Sequence, residues 1–279
     1  SDFNIFNNGF INKFLFKKEK AKIKDIETKL DFNLINLDSF DAISNISDNY
    51  FDGAITSPPY YNARDYSTWS NIFGYLYDMY NIADQAYRTL KDGSIFIYNI
   101  FDYFDNENDI VFSDMGKKRI ILSAYTSIIF RYIGFKHIHC IAWDKGEIQG
   151  NRNFNQGNNY PFYQAPHNCW EHILVFQKGE SSRFNFPDIL EVGPVIKMIK
   201  GKNTYGHTAP YPKEIPNLLL DQLSAGNIVM DPFSGSATTG RTAYEKGIKS
   251  VNIELHREYC ELSRILLNEE KTNQQIYLL

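Results

Sequence analysis

The stretch Phe51-Asp52-Gly53-Ala54-Ile55-Thr56-Ser57-Pro58-Pro59-Tyr60-Tyr61 runs from apolar residues straight into two prolines. Two successive prolines remove two backbone donors and fix two φ angles, so ladder pairing must stop there. Asp52 to Thr56 therefore reads as a buried strand whose carboxyl end is closed by a stiff turn carrying one hydroxyl and two phenols. Working outward, short apolar runs predict strands at Asn33 to Leu37, Ser94 to Ile100, His137 to Trp143, His172 to Gln177, Asn227 to Met230 and Ser250 to Ile253. Helical patterns fall between them, at Met79 to Leu90, Lys118 to Ile133, Pro216 to Ser224, Thr238 to Lys246 and Glu258 to Glu270, most of them stopping at or near a glycine. Strands alternating with helices predict an α/β fold: one doubly wound sheet of about seven strands covered on both faces.

Composition permits this. The 279 residues, 43% of them hydrophobic, suffice for one sizeable core. Cys140, Cys169 and Cys260 show no metal-ligand or disulfide spacing, which fits a reducing cytoplasm. The apolar run Ile120 to Phe130 is too short to cross a bilayer, and no signal peptide is expected before the fold. A net charge of −4 argues against a uniformly basic nucleic-acid coat, yet leaves room for a basic cleft. Lysines cluster at Lys17 to Lys22, at Lys117 to Arg119 and at Lys197, Lys200 and Lys202, either as solvated helix ends and loops or as parts of such a cleft. The first thirty residues read as an N-terminal arm, and 31–279 as one catalytic domain. Within that domain Lys145 to Asn168 forms a long loop rich in Asn, Gln and Gly. Long loops inside compact domains are functional or mobile.

Ligands of open parallel sheets bind outside the carboxyl ends of the strands, so residues directly after strands carry the most information. Two places meet that condition: Ser57-Pro58-Pro59-Tyr60, and Asp231-Pro232-Phe233-Ser234-Gly235-Ser236-Ala237-Thr238-Thr239-Gly240, which enters a helix. The second is a tight turn exposing N–H groups at a helix start, suited to an anionic ligand group. Glu254 ends the next strand about 20 residues on, where an acid accepts from ribose hydroxyls. Together they suggest an adenosine-containing ligand. Asp38 ends another strand, placed either to accept from an adenine amino group or to cap the following helix. The Ser-Pro-Pro-Tyr turn offers a hydroxyl, a carbonyl at a fixed position and a flat ring. That set would grip a planar base carrying an exocyclic NH₂.

These residues resemble the DNA amino-methyltransferases, which move a methyl group from S-adenosylmethionine (SAM) to an exocyclic base nitrogen. Thr56 to Tyr61 resembles their catalytic motif, and Asp231 to Thr239 their cofactor motif D-P-F-x-G-x-G-T-T, with Ala237 in place of a glycine. Arg88 to Ser94, Tyr98 to Asp102, Trp170 to Lys178, the His207-Thr208-Ala209-Pro210-Tyr211-Pro212 segment and Ile253 to Tyr259 resemble further family segments, with Phe101 and Asn252 where glycine is usual. The catalytic turn precedes the cofactor turn, the order called β. The resemblance therefore implies a SAM-dependent Rossmann-like sheet, circularly permuted, with one antiparallel strand at His172 to Gln177.

The resemblance also implies roles. Ser57 and the Pro58 carbonyl would orient the amine, Pro59 would shape the turn and Tyr60 would stack. SAM would meet Gly235, Ser236 and Thr238 at its methionine end, Phe233 at adenine, Glu254 at ribose and Asp38 at the adenine amino group. Thr239, Asp231, His207, Ala209 and Pro212 would complete that pocket. Serine at the first position is typical of cytosine-N4 enzymes and favours cytosine N4 over adenine N6. Methylation at cytosine C5 is excluded because no cysteine follows a proline to supply its thiolate. No metal is required. The expected partner is duplex DNA, touched by Arg64 and by the loop residues Arg152, Phe154, Gln156, Asn158, Tyr160 and Gln164, which combine amides for base edges with rings and a cation. A restriction endonuclease is a further expected partner, with monomer or homodimer left open. The alternatives are an adenine-N6 or RNA amino-methyltransferase and a silent SAM- or DNA-binding protein.

Overall fold

The computed structural model describes residues 18–19, 28, 30–61, 69, 72–104, 119–146, 170–180, 184–195, 198–199, 202–203, 205–207 and 210–277. In chain order the first half of the described chain holds β1 (Phe32–Asn36), α1 (Ser39–Ser44), β2 (Phe51–Thr56), α2 (Ile72–Thr89), β3 (Leu90–Ile100), β4 (Tyr103–Phe104), β5 (Arg119–Ile120), α3 (Leu122–Ile133) and β6 (Lys136–Asp144). The second half holds β7 (Trp170–Gln177), β8 (Ile189–Glu191), β9 (Met198–Ile199), β10 (Lys202–Asn203), α4 (Glu214–Leu220), β11 (Ile228–Asp231), α5 (Thr238–Glu245), β12 (Lys249–Glu254) and α6 (Arg257–Tyr277).

Eight strands form one sheet in the order β1-β12-β11-β2-β3-β7-β6-β8. Only β7 runs against its neighbours, pairing antiparallel with both β3 and β6, as expected for His172 to Gln177. Side chains alternate across this sheet with period two and separate two cores. Ala54, Phe96, Tyr98, Leu174, Phe176 and Met230 face α1, α2 and α3. Their chain neighbours Ile55, Ile95, Ile97, Ile173, Val175 and Val229 face the other way, against Ile215, Leu219 and Leu220 of α4 and Ala243 of α5.

The first strand of the chain pairs with the last, Phe32 opposite Ser250 through Asn36 opposite Glu254. That closure is the permuted arrangement inferred from motif order. All seven expected strands are present, the third starting earlier than expected, at Leu90. The eighth, β8, was not expected: three residues, two of them exposed, are too few to show a period. Helix α2 begins seven residues before the expected Met79, because Ile72, Tyr75, Leu76, Met79, Ile82, Ala83 and Ala86 already follow the helical period and are buried. Helix α3 starts after the expected Lys118, since Arg119–Ile120 pairs with Tyr103–Phe104 instead. Helix α4 starts before Pro216, which sits in the first turn where its missing N–H has no intrahelical acceptor to lose. Among the described residues no helix is long and apolar enough to cross a membrane.

Candidate active site

Strand β2 lies directly beside β11, parallel to it, with Val229 opposite Gly53 and Met230 opposite Ala54. The chain leaves this junction in opposite directions, toward β3 on one side and β12 on the other, so it is the switch point at which open α/β sheets bind ligands. Both sequence-marked turns emerge there from the same edge. Asp231 fastens them together. Its Oδ1 accepts from Thr56 Oγ1 at 2.7 Å and from the Phe233 N–H at 3.1 Å, and its Oδ2 accepts from Tyr211 Oη at 2.9 Å. Tyr211 Oη also bonds Thr239 Oγ1. Burial pushes the Asp231 carboxyl up, against the donors that hold it down. Asp231 and Thr239 were expected at the cofactor. They lie in the core, at 1% and 0% exposure, with their side-chain oxygens engaged by protein groups.

On the cofactor side, residues 232–237 climb from β11 into α5. Gly235 takes φ +52°, and a Cβ there would meet His207 Nε2 at 2.6 Å, so the His207 ring lies against this turn. The same ring packs edge-on against the Tyr259 ring, with centroids 4.5 Å apart. Ala237, in the glycine position of the motif, also lies in the left-handed region at φ 56°. Glu254 ends β12 with Oε2 accepting from the Gly235 N–H at 2.9 Å and Oε1 from the His256 N–H at 2.7 Å. Burial raises its pKa despite these bonds. Ser234 Oγ is buried without a hydrogen-bond partner among the described residues. A cradle that any Cβ would fill, an orphan hydroxyl and a buried acid fit an adenosine-containing ligand. Phe233 and Ser236 belong to the same turn, which Thr238 follows as the first residue of α5, and Pro212 precedes α4, its carbonyl accepting from the Ile215 N–H. Asp38 makes the cap that the sequence offered as one of two roles: its Oδ1 accepts from the Phe40 and Asp41 N–H groups at the start of α1, at 3.0 and 3.2 Å. Lys18 stands 3.7 Å from the same carboxylate.

On the acceptor side, Ser57 Oγ and Tyr60 Oη are 3.1 Å apart. Tyr60 Oη donates to Glu171 Oε2 at 2.7 Å. Asn99 Nδ2, from β3, reaches Glu171 Oε2 at 2.7 Å, Tyr60 Oη at 3.1 Å and Ser57 Oγ at 3.3 Å. Lys145 Nζ donates to Glu171 Oε1 and lies over the rings of Trp143 and Phe101, at 4.8 and 5.4 Å from their centroids. Phe101 packs against Tyr60 at 6.1 Å between centroids. The sequence reading did not single out Glu171 or Lys145. The available signal was a carboxylate inside the otherwise apolar run WEHILVF, since a charge at such a position needs a partner.

One residue on, His172 points to the opposite side of β7 and pairs with Asp102 at 3.1 Å; Asp102 also accepts from the Ser123 N–H and Oγ at the start of α3. Burial alone would lower the His172 pKa, but the hydrogen bonds and charges of Asp102 and Cys140 outweigh it and lift it to about 9. Asp102 moves the other way, burial opposing and the His172 and Ser123 bonds prevailing, to below its ordinary value. Ala209, Arg64 and the loop residues Arg152, Phe154, Gln156, Asn158, Tyr160 and Gln164 lie outside the described residues.

Known proteins share this organisation. Over 245 residues, 83% of the chain, it is 45% identical to the Type II beta methyltransferase M.BslI of Bacillus sp. (strain NEB-606) but spans 27% of that protein. It spans 33% of the Type II methyltransferase M.MwoI of Methanothermobacter wolfeii. It is 26% identical to the Type II methyltransferase M.SmaI of Serratia marcescens over 81% of this chain and 87% of that one. The fold matches the PvuII DNA methyltransferase (cytosine-N4-specific) with a TM-score of 0.65 at 17% identity, covering 83% of this chain and 84% of that one. The M1.HpyAVI–SAM complex matches with a TM-score of 0.55 at 19% identity, covering 85% and 98%. A family model described as DNA methylase matches residues 51–264, from the strand before the catalytic turn to the helix after Glu254, and the chain belongs to that N6/N4 DNA methylase family.

Proposed function

We propose that this chain transfers a methyl group from SAM to the N4 amino group of a cytosine flipped out of duplex DNA at a specific sequence. The observation that carries the reading is the placement of Ser57 and Tyr60, hydrogen-bonded together at the switch point and tied by Thr56 to the Asp231 turn. SAM supplies a methyl group activated on a sulfonium. Around it, Glu254 has lone pairs beyond those given to Gly235 and His256 with which to accept from ribose hydroxyls. Ser57 Oγ and the Pro58 carbonyl would take the two N–H bonds of the target amine, drawing its lone pair out of conjugation with the ring. The Tyr60 face would hold the flipped base, an aromatic contact worth roughly 1–3 kcal/mol, against a flipping cost of a few kcal/mol. Serine, not an acid, at position 57 supports cytosine N4 by the resemblance stated above.

Sequence recognition falls to the loop from Lys145 to Asn168, whose amides, rings and Arg152 suit base edges and phosphates. The Type II names of the relatives support a restriction endonuclease as a companion. Ser57→Ala and Tyr60→Ala should each lower transfer to duplex DNA by about a hundredfold or more. Radiolabelled methyl transfer to the duplex, with RNA of the same sequence as the control, measures this. Transfer to the RNA alone would contradict the reading.

A further inference from the structure

Glu171 is 8% exposed and is the one acidic residue of β7, whose other buried positions hold Ile173, Leu174, Val175, Phe176 and Gln177. A buried Lys–Glu pair is poorly explained by stability, because well-packed apolar residues of similar volume do as well or better. What distinguishes this pair is what it touches. Of the two Glu171 oxygens, one takes Lys145, and the other takes both Tyr60 and Asn99, the two groups in contact with Ser57.

The hydrogen inventory then sets the direction of the bonds to Glu171. A carboxylate held by a lysine accepts only, so Tyr60 Oη–H must point at Glu171 and one Asn99 N–H must do the same. The Asn99 amide is thereby fixed with its nitrogen toward the carboxylate, because the flipped amide would set oxygen against oxygen. Its Oδ1 is left buried without a partner among the described residues, a cost that the Glu171 bond outweighs. With its proton committed to Glu171, Tyr60 Oη accepts from Ser57, which spends its single proton there, while the second Asn99 N–H reaches Tyr60 Oη or one of the two Ser57 Oγ lone pairs. Ser57 Oγ keeps a lone pair facing outward.

We propose that Glu171, held by Lys145, is a positioning residue for methyl transfer. Through Tyr60 and Asn99 it sets the hydrogen direction that makes Ser57 Oγ an acceptor for the target amine. The inference rests on the reading of Ser57 as the group that receives that amine. A glutamine at 171 can turn its NH₂ toward Tyr60; the phenol then donates to Ser57 Oγ, and the displaced serine proton turns outward, where it opposes the N–H of the amine.

The test is a single-turnover rate cycle on duplex DNA with wild type, Glu171→Gln, Tyr60→Phe and the double variant, alongside SAM affinity and thermal midpoint. Glu171→Gln should slow transfer about 10- to 100-fold while the SAM Kd stays within about twofold. The double variant should lose far less than the product of the two single losses, because Glu171 acts through the phenol that Tyr60→Phe removes. Lys145→Gln provides a second route to the same pair if Glu171→Gln does not fold, and it should slow transfer without changing SAM affinity. A wild-type rate in Glu171→Gln, losses that multiply, or losses that only track SAM affinity and thermal midpoint would overturn the inference. An inactive wild type would instead overturn the functional reading on which it stands.

Discussion

Gly235 shows how one residue sets the cofactor turn. Its φ of +52° is strained for any side chain, and the His207 ring occupies the space a Cβ would take. Gly235→Ala should cost about 1–2 kcal/mol of stability from the backbone conformation alone, measured by chemical denaturation. It should also weaken SAM binding, and trimming His207 to alanine in the same chain should recover part of the stability but not the left-handed strain. Glu254 predicts a pH dependence. Burial holds its pKa above the ordinary value, so it takes up a proton at higher pH than an exposed glutamate. If the carboxylate receives ribose hydroxyls, SAM affinity falls as pH drops through the mildly acidic range, and Glu254→Gln binds weakly with that dependence flattened. Calorimetric titration across pH separates the two outcomes.

At this scale the sequence was legible where chemistry is local. Ser57, Tyr60, Gly235 and Glu254 stand where strand-end turns announce them. The bonds that Asp231 makes were not legible for a physical reason: its partner Thr56 lies 175 residues away, and nothing in its neighbours reveals that pairing. Glu171 was missed likewise, since its partners come from the turn after β2, from β3 and from the end of β6.

Among elements, the decisive joint is β2 against β11. Tyr211→Phe removes the Oη donor that serves both Asp231 Oδ2 and Thr239 Oγ1. An unsatisfied buried carboxylate oxygen costs about 1–3 kcal/mol, so the thermal midpoint should fall, and the methylation rate with it as the two turns lose register. The variant keeping both stability and rate would show that the joint does not position the turns.

A second joint, His172 with Asp102, ties β7 to the start of α3. The His172 pKa of about 9 lies above its ordinary 6.5, so the stabilisation it gives is fully present below 6.5 and is lost as pH rises through about 9. Asp102 is shifted down, so its share is present above its ordinary 3.8 and is lost as pH falls through its lowered value. Denaturation midpoints should therefore decline as pH rises from about 6.5 and level off above about 9, and His172→Gln should abolish that decline. Most element positions were readable because hydrophobic period survives in sequence. Strand β8 and the early turns of α2 were not, the first for being three residues long and the second because its apolar face starts well before its capping signals.

For the whole molecule, motif order and the family resemblance implied a circularly permuted sheet, and the pairing of β1 with β12 accords with it. The glycine exchanges show how such a fold absorbs change. Asn252, where the family motif has glycine, fills the space above Gly240, and a Cβ on Gly240 would meet Asn252 Oδ1 at 2.3 Å. Gly240→Ala should therefore destabilise this chain, and the same change in Asn252→Gly should be tolerated. Recognition is the part that physical reasoning on sequence reaches least, and the proposed recognition loop from Lys145 to Asn168 falls mostly outside the described residues. Shortening that loop should erase site preference and leave SAM affinity intact, as filter binding to specific and scrambled duplexes would show.

The most direct measurement is nucleoside mass spectrometry of unmethylated genomic DNA after incubation with the protein and SAM. N4-methylcytosine is predicted with wild type and its loss with Ser57→Ala; N6-methyladenine, or no methylated nucleoside from active-site-intact protein, would contradict the assigned reaction.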